Sequence, residues 1–170
     1  MNIRLPLSLL IAGLLLLSAC TTATQNGATE ADITVEFQHP ENFRDARASF
    51  GGAPDESALD TLRAALKTAA RPHLKAGQKL RVTFTDIDLA GEYEPQAGPQ
   101  ADHVRFIKSI YIPRQVLSFE LSDSSGAVLR QGTRTLTDMN YQANSLRIGS
   151  DQPFFYDKVL LQDWVHDEFR

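Results

Sequence analysis

The 170-residue chain is 42% hydrophobic and 22% charged, with 17 basic and 21 acidic side chains and a formal net charge of −4. Because this balance predicts no strongly basic face, it argues against nucleic acid and anionic lipid as partners. It leaves room for one domain of usual size beyond the N-terminal segment.

The N-terminal segment has the layout of a bacterial export signal. Arg4 gives it a basic start, residues 5–17 are an apolar run of thirteen residues, and small residues precede Cys20. A helix over that run is about 20 Å long, short of the roughly 30 Å hydrocarbon core of a bilayer. We therefore predict a cleaved signal peptide over residues 1–19 and no permanent transmembrane span.

The stretch Leu17-Ser18-Ala19-Cys20 resembles the lipobox of bacterial lipoproteins, whose cysteine receives a diacylglycerol and becomes the first mature residue. Cys20 is the only cysteine of the chain and so has no disulfide partner. The alternative is an ordinary secretory signal that happens to end near a cysteine. Lipidation with acyl chains such as palmitate predicts a stable membrane anchor. Thr21 in place of a retaining aspartate implies the outer membrane, facing the periplasm.

A polar stretch follows the cysteine. Residues 21–31, TTATQNGATEA, have no large apolar side chain and cannot order themselves by burial, so residues 20–31 are predicted to be a lipidated cysteine and flexible tether. As a coil this tether spans roughly 17 to 20 Å. Without residues 1–19 the chain has 16 basic and 21 acidic residues, a net charge of −5. Residues 32–170 are predicted to form a single domain.

The first elements of that domain are a strand and a helix. Residues 32–38 alternate between apolar and polar side chains, which predicts a strand with one buried face. Residues 41–57 show no period and are expected to form a long loop, with Phe43 and Phe50 plugging the edge of the core. Ser57 and Asp60 match a weak capping box, so we predict a helix over residues 57–71 that ends near Pro72.

The second strand, over residues 79–89, changes face along its length. Leu80, Val82 and Phe84 lie on one face, whereas Ile87 and Leu89 fall on the other. Either a β-bulge near Thr85 returns the later residues to the core and turns the intervening aspartates outward, or the strand is covered on both faces.

The remaining segments predict further strands and a final helix. Residues 90–102 are expected to form a mobile loop, residues 103–112 and 115–122 strands, and Asp123-Ser124-Ser125-Gly126 the turn of a β-hairpin. Apolar spacing over residues 153–170 predicts a helix with Trp164 in the core, and Asp151 and Pro153 match the chemistry of a helix start. The element order predicts an α+β two-layer sandwich, with a mostly antiparallel sheet of about four to five strands and two helices.

The acidic stretch TDIDLAGEYE is the main candidate for chemistry. It begins like a calcium loop, but Ala90 and Ala97 stand where an EF-hand needs oxygen ligands, so an EF-hand is excluded. Asp86, Asp88 and Glu92 stay weak candidates for a looser metal site. The structural alternative is a polar cluster in which Asp86, Asp88 or Asp138 pairs with Arg114.

Other functional motifs are missing from the sequence. The four histidines lack zinc-site spacing, and neither a nucleophilic-serine signature nor a phosphate-binding glycine loop occurs. No cofactor is therefore predicted, and no catalytic residue is assigned.

Four segments in order, VTFTDIDLAGE, IPRQVLSFELSDSSGAVL, LTDMNY and YDKVLLQDW, make residues 32–170 resemble the domain of unknown function 3016 family of bacterial lipoproteins. The resemblance implies a small exported domain with no established activity, cofactor or catalytic residue. Together these observations favour a non-enzymatic envelope lipoprotein that binds an envelope protein or another component. The alternatives are a metal-binding module or metal-assisted hydrolase that uses the acidic turn, and a small-ligand carrier.

Overall fold

The computed structural model of the chain describes residues 30–143 and 152–170. Cys20 and most of the predicted tether lie outside this part. The described elements, in chain order, are β1 (Asp32–Phe37), α1 (Glu56–Ala70), β2 (Lys79–Asp88), β3 (Glu92–Tyr93), β4 (Arg105–Phe106), β5 (Arg114–Ser122), β6 (Val128–Thr137) and α2 (Phe155–Glu168). Neither described helix is long and apolar enough to cross a membrane.

The main sheet has four strands in the order β1-β2-β5-β6, and β3 and β4 form a separate two-stranded pair. β1 runs parallel to β2 because α1 lies between them in the chain, whereas β2, β5 and β6 are successively antiparallel. The predicted α+β sandwich and the hairpin between β5 and β6 are confirmed. The large side chains buried between the sheet and the helices include Leu62, Leu66, Val82, Phe84, Leu117 and Leu161.

The bulge alternative for the second strand is correct. The register between β2 and β5 shifts between Phe84 and Asp86, so one extra residue of β2 lies opposite β5. This shift returns Ile87 to the side of Phe84, and both side chains are fully buried. Asp86 and Asp88 consequently point away from the core at the end of the strand.

α1 begins one residue earlier than expected, and its cap is different. Asp55, and not Ser57, is the N-cap residue, and its Oδ1 accepts a hydrogen bond from the Ala58 N–H at 3.1 Å. Either residue type can cap a helix, but the aspartate also places a negative charge at the positive end of the helix dipole. Of the two expected plugs before this helix, Phe43 is buried, whereas Phe50 is 59% exposed, so that half of the prediction is wrong.

The predicted strand over residues 103–112 is wrong. Only Arg105–Phe106 forms a strand, paired with Glu92–Tyr93, and the residues that follow leave the ladder. Hydrogen bonds outside any ladder hold them there: the Gly91 N–H donates to Tyr111 O, and the Tyr141 hydroxyl donates to Lys108 O. The expected loop over residues 90–102 is likewise packed at its start, where Tyr93 and Glu94 are buried.

α2 is the predicted final helix, and Trp164 is a core residue with 7% exposure. Its start differs from the expected chemistry. The N-cap residue is Phe154, whose φ of 53° lies in the left-handed region and whose side chain makes no cap hydrogen bond. Asp151 lies outside the described residues. One helical turn later, Asp157 is buried on the same face of α2 as its apolar stripe, Leu160, Leu161, Trp164 and Val165.

Candidate functional site

The end of β2 brings Asp86 and Arg114 together, one of the three pairings that the sequence left open. Arg114 lies opposite Asp88 at the start of β5, and its Nη1 donates to Asp86 Oδ2 at 2.7 Å. The other oxygen of Asp86 accepts the backbone N–H of Arg44 at 2.9 Å. The bulge therefore turns Asp86 toward one side-chain cation and one backbone donor. Both side chains of the pair are partly exposed, at 40% for Arg114 and 27% for Asp86.

Asp88 has a different cation. Its Oδ2 lies 3.0 Å from Arg44 Nε. Burial raises the pKa of Asp88 to about 6, Arg44 opposes this, and the negative charges of Asp45, Glu92 and Asp86 add to the increase. Asp88 therefore changes charge in the mildly acidic range, unlike an ordinary surface aspartate.

Asp45 and Arg105 form a largely buried ion pair, with side chains 9% and 14% exposed, that the sequence did not reveal. Arg105 Nη1 lies 2.5 Å from Asp45 Oδ2, and Nη2 donates to Oδ1 at 3.1 Å, so the pair is bidentate. Burial lowers the pKa of the Arg105 guanidinium, but the hydrogen bond and charge of Asp45 outweigh it and raise that pKa. The guanidinium also lies 4.5 Å from the centre of the Tyr93 ring.

The backbone of Asp45 explains its position. Its N–H donates to Ile87 O at 2.9 Å, and its carbonyl accepts from the Leu89 N–H at 3.0 Å. These two bonds extend the sheet beyond the end of β1 with a short parallel bridge between Asp45 and Asp88. Asp45 is thereby fixed beside the bulged end of β2, although its segment reads as an irregular loop.

A second charged group pins the segment after β3. Both carboxylate oxygens of Glu94 accept from Lys108 Nζ, at 2.6 and 2.7 Å, and Oε1 also accepts from the Tyr111 hydroxyl at 2.5 Å. The hydrogen bonds from Lys108 and then Tyr111 lower the pKa of Glu94, and the same contact with Glu94 raises the pKa of Tyr111. These contacts join the residue after β3 to the segment between β4 and β5.

Asp157 lies on the core side of this region. Its Oδ1 accepts the backbone N–H of Ala90 at 3.0 Å, and burial raises its pKa to about 7, against the lowering effects of that hydrogen bond and of Arg105. Gln115 Nε2 donates to the Asp157 backbone carbonyl at 3.3 Å. The position of Asp157 among the apolar residues of α2 is a signal in the sequence from which its burial could have been predicted.

The remaining predicted site residues make local contacts. Asp138 Oδ1 accepts from the Asn140 N–H at 2.9 Å, and Glu92 Oε1 accepts from the Tyr93 N–H at 3.0 Å. Within residues 30–143 and 152–170, no group of three or more histidine, cysteine, aspartate or glutamate residues is placed to hold a metal ion. The two aspartates at the end of β2 are each paired with an arginine, Asp86 with Arg114 and Asp88 with Arg44.

Comparisons with known proteins point to one family. The sequence model of a family described as "Protein of unknown function (DUF3016)" matches residues 31–167. No protein with a curated description matches the chain. A solved PelC dodecamer from Paraburkholderia phytofirmans is 15% identical, over 79% of this chain and 86% of that one, with a TM-score of 0.36. A minor lipoprotein from Acinetobacter baumannii is 10% identical, over 82% and 89%, with a TM-score of 0.31.

Proposed function

The chain belongs to the DUF3016 family. From the lipobox-like stretch that ends at Cys20, we propose that it is a lipid-anchored envelope protein whose single domain binds another envelope component without catalysing a reaction. The proposal takes residues 1–19 as the signal peptide, Cys20 as the lipidated residue and residues 20–31 as the tether. Its location is the outer membrane, facing the periplasm. The family itself supplies no activity.

The position of Asp32, next to which the proposed tether ends, relative to the charged end of the sheet is the observation that supports a binding role. β1 begins at Asp32, which lies opposite Lys79 at the start of β2. The paired arginines and carboxylates lie at the other end of β2, where Asp88 is opposite Arg114. The ten residues of β2 separate these ends by about 30 Å. A tethered domain therefore presents its charged end away from its attachment point.

The two most exposed large apolar side chains of residues 30–143 and 152–170 lie at the same end. Ile110 is 71% exposed in the segment before β5, and Met139 is 72% exposed just after β6. Ile110 precedes Arg114, and Met139 follows Thr137. Arg114 and Thr137 are paired at the end of the sheet remote from Asp32. The partner that this surface fits combines apolar contacts with charged groups, as a folded envelope protein does.

A site-specific crosslinking experiment tests the binding role. A photoreactive residue at Ile110 in intact cells is expected to give a discrete adduct. The same residue at Leu129, 51% exposed on the hairpin at the tether end, is the matched control. Equal adduct patterns from both positions, or none from Ile110, would contradict binding through the remote end.

The anchor has a separate test. Cys20→Ser is expected to leave an unprocessed or soluble form, because the thiol that accepts the diacylglycerol is lost. Normal processing and unchanged membrane fractionation of this variant would refute the anchor. The crosslinking experiment would still test the binding role independently of that outcome.

A further inference from the structure

A cavity of about 240 Å³ lies where the first turn of α2 meets the segments around β3 and β4. Its walls are mainly apolar and aromatic, and its charged lining residues are Arg105 and Asp157; the apolar walls include Ile107, Phe154, Phe155 and Tyr156. The volume equals that of about eight water molecules in the liquid. It is below the roughly 300 to 1,000 Å³ of pockets for drug-sized ligands, so a fitting occupant is small.

The two charged lining residues are in different situations. Arg105 is paired with Asp45 through the bidentate contact, and its charge lowers the pKa of Asp157 without offsetting the effect of burial. The carboxyl of Asp157, which is 1% exposed, accepts from the neutral N–H of Ala90. A buried carboxylate is costly unless a cation or several donors compensate it. The cavity therefore has one compensated cation and one carboxyl group that gains from an added positive charge.

Two neighbouring features are unusual for a region that only fills space. Phe154, a wall residue, has a φ of 53°, a conformation that bulky side chains rarely adopt and that concentrates at functional sites. Gln115, which contacts Asp157, has a buried Oε1 with no hydrogen-bond partner among the described residues. Gln115 does not line the cavity, but the polar group that it adds next to Asp157 is not fully satisfied by the described residues.

We propose that the cavity binds a small organic ammonium ion, with its charged head at Asp157 and its apolar body against the aromatic walls. Aromatic faces attract cations, and Phe154, Phe155 and Tyr156 provide three rings. The positive end of α2 stabilises the ionised form of Asp157 that such a ligand requires. This inference concerns a site separate from the exposed surface of the proposed binding role and stands without it.

Binding of a cation should be coupled to release of a proton. Burial raises the pKa of Asp157 to about 7; the Ala90 hydrogen bond and the charge of Arg105 on β4 oppose this increase, and the charge of Asp88 on β2 adds to it. A bound ammonium ion favours the ionised carboxylate, while a primary amine stays charged well above pH 8. Affinity is therefore expected to increase about tenfold from pH 6 to pH 8.

Calorimetric titration of the purified, detergent-solubilised full chain tests the proposal. The probe is benzylammonium, with benzoate and benzyl alcohol as anionic and neutral probes of similar size. Saturable binding of benzylammonium alone, about tenfold tighter at pH 8 than at pH 6, is expected. Absence of saturable heat with benzylammonium, or equal binding of either other probe, would overturn it.

Variants assign the effect to the cavity. Asp157→Asn should weaken benzylammonium binding at least tenfold, whereas Asp167→Asn, on an exposed turn of the same helix, should not change it. Asp88→Asn should leave the pH dependence in place. Ile107→Trp should fill the cavity with a larger side chain and block binding. Because Ile107 is 42% exposed, this change should not lower the melting temperature. Unchanged binding in either Asp157→Asn or Ile107→Trp would overturn the proposal.

Discussion

The carboxylate of Asp157 accepts the backbone N–H of Ala90, and this single contact joins the first turn of α2 to the end of β2 across 67 positions of the chain. Burial gives this carboxyl a pKa of about 7, far above that of an unfolded aspartate. The contact therefore links two parts of the fold through a carboxyl group whose charge changes near neutral pH.

The pH dependence of stability follows from this raised pKa. Between about pH 4 and pH 7 the folded chain binds a proton at Asp157 that the unfolded chain has released, so stability should fall as the pH rises through this window. Asp157→Asn keeps an oxygen for the Ala90 N–H and removes the buried charge. Above pH 7 it should raise the free energy of unfolding by on the order of a few kcal/mol, measured by urea denaturation at pH 5 and pH 8.

Asp88, with a pKa of about 6, contributes a smaller total change in the same direction over the narrower window from about pH 4 to pH 6, and this part should persist in that variant. Asp167→Asn is the control and should follow the wild-type curve. A variant lacking Asp157 that keeps the full wild-type slope would show that another group carries the titration.

The two arginine–aspartate pairs should differ in their effect on stability. Arg105→Met leaves Asp45 as an uncompensated buried charge and should cost about 3 to 5 kcal/mol. Arg114→Met breaks a partly exposed pair and should cost about 0 to 1 kcal/mol. Chemical denaturation of both variants measures the difference; equal losses would mean that the buried pair is not the stronger structural element.

Gly91 should be intolerant of a side chain. Its φ is 85°, and a Cβ there would lie 2.8 Å from Phe106 O and 2.6 Å from Ile107 Cδ1. Gly51 has a similar φ of 65°, but a Cβ there meets nothing within 4 Å. Gly51→Ala should cost about 1 to 2 kcal/mol from backbone strain alone, and Gly91→Ala about 1 to 3 kcal/mol more. Similar melting temperatures for the two variants would contradict the close packing of β3 against β4.

The extra residue of the bulge should be dispensable, unlike a residue in the regular part of β2. Deleting Thr85 would restore a continuous ladder in which Asp86 follows Phe84 directly, so Asp86 would still point outward and Ile87 would still face the core. We expect this variant to keep a cooperative unfolding transition, seen by circular dichroism. Deleting Thr83 instead would make Val82 and Phe84 neighbours, so one of these two buried side chains would leave the core and the transition should be lost or strongly weakened. Similar unfolding of the two deletion variants would contradict this role of the bulge.

Local periodicity was sufficient to predict most of the fold. The alternation in β1, the change of face at Thr85 and the stripe of α2 each report burial of neighbouring residues, so the strands, the helices and the α+β class followed. The segment over residues 103–112 has an apolar content typical of a strand. It is held instead by the hydroxyl of Tyr141 and the backbone around Gly91, which lie far from it in the chain.

The charged contacts were predictable only in part. Arg114 could be linked to Asp86 because both lie on strands with a readable register. Asp45 and Arg105 are 60 positions apart in segments without a period, so nothing local indicates that they meet. Asp157 did leave a signal, since a charged residue on an apolar helical stripe must be buried or must interrupt it.

The parallel pairing of β1 with β2 has a mechanical consequence. If the chain is anchored on the N-terminal side of Asp32, a pulling force acts along the axis of β1. The six residues of β1 that pair with β2 then share this force in shear. They would have to slide together, whereas strands pulled apart from one end separate one bond after another. The strand nearest the proposed attachment point is thus arranged to resist traction on the domain.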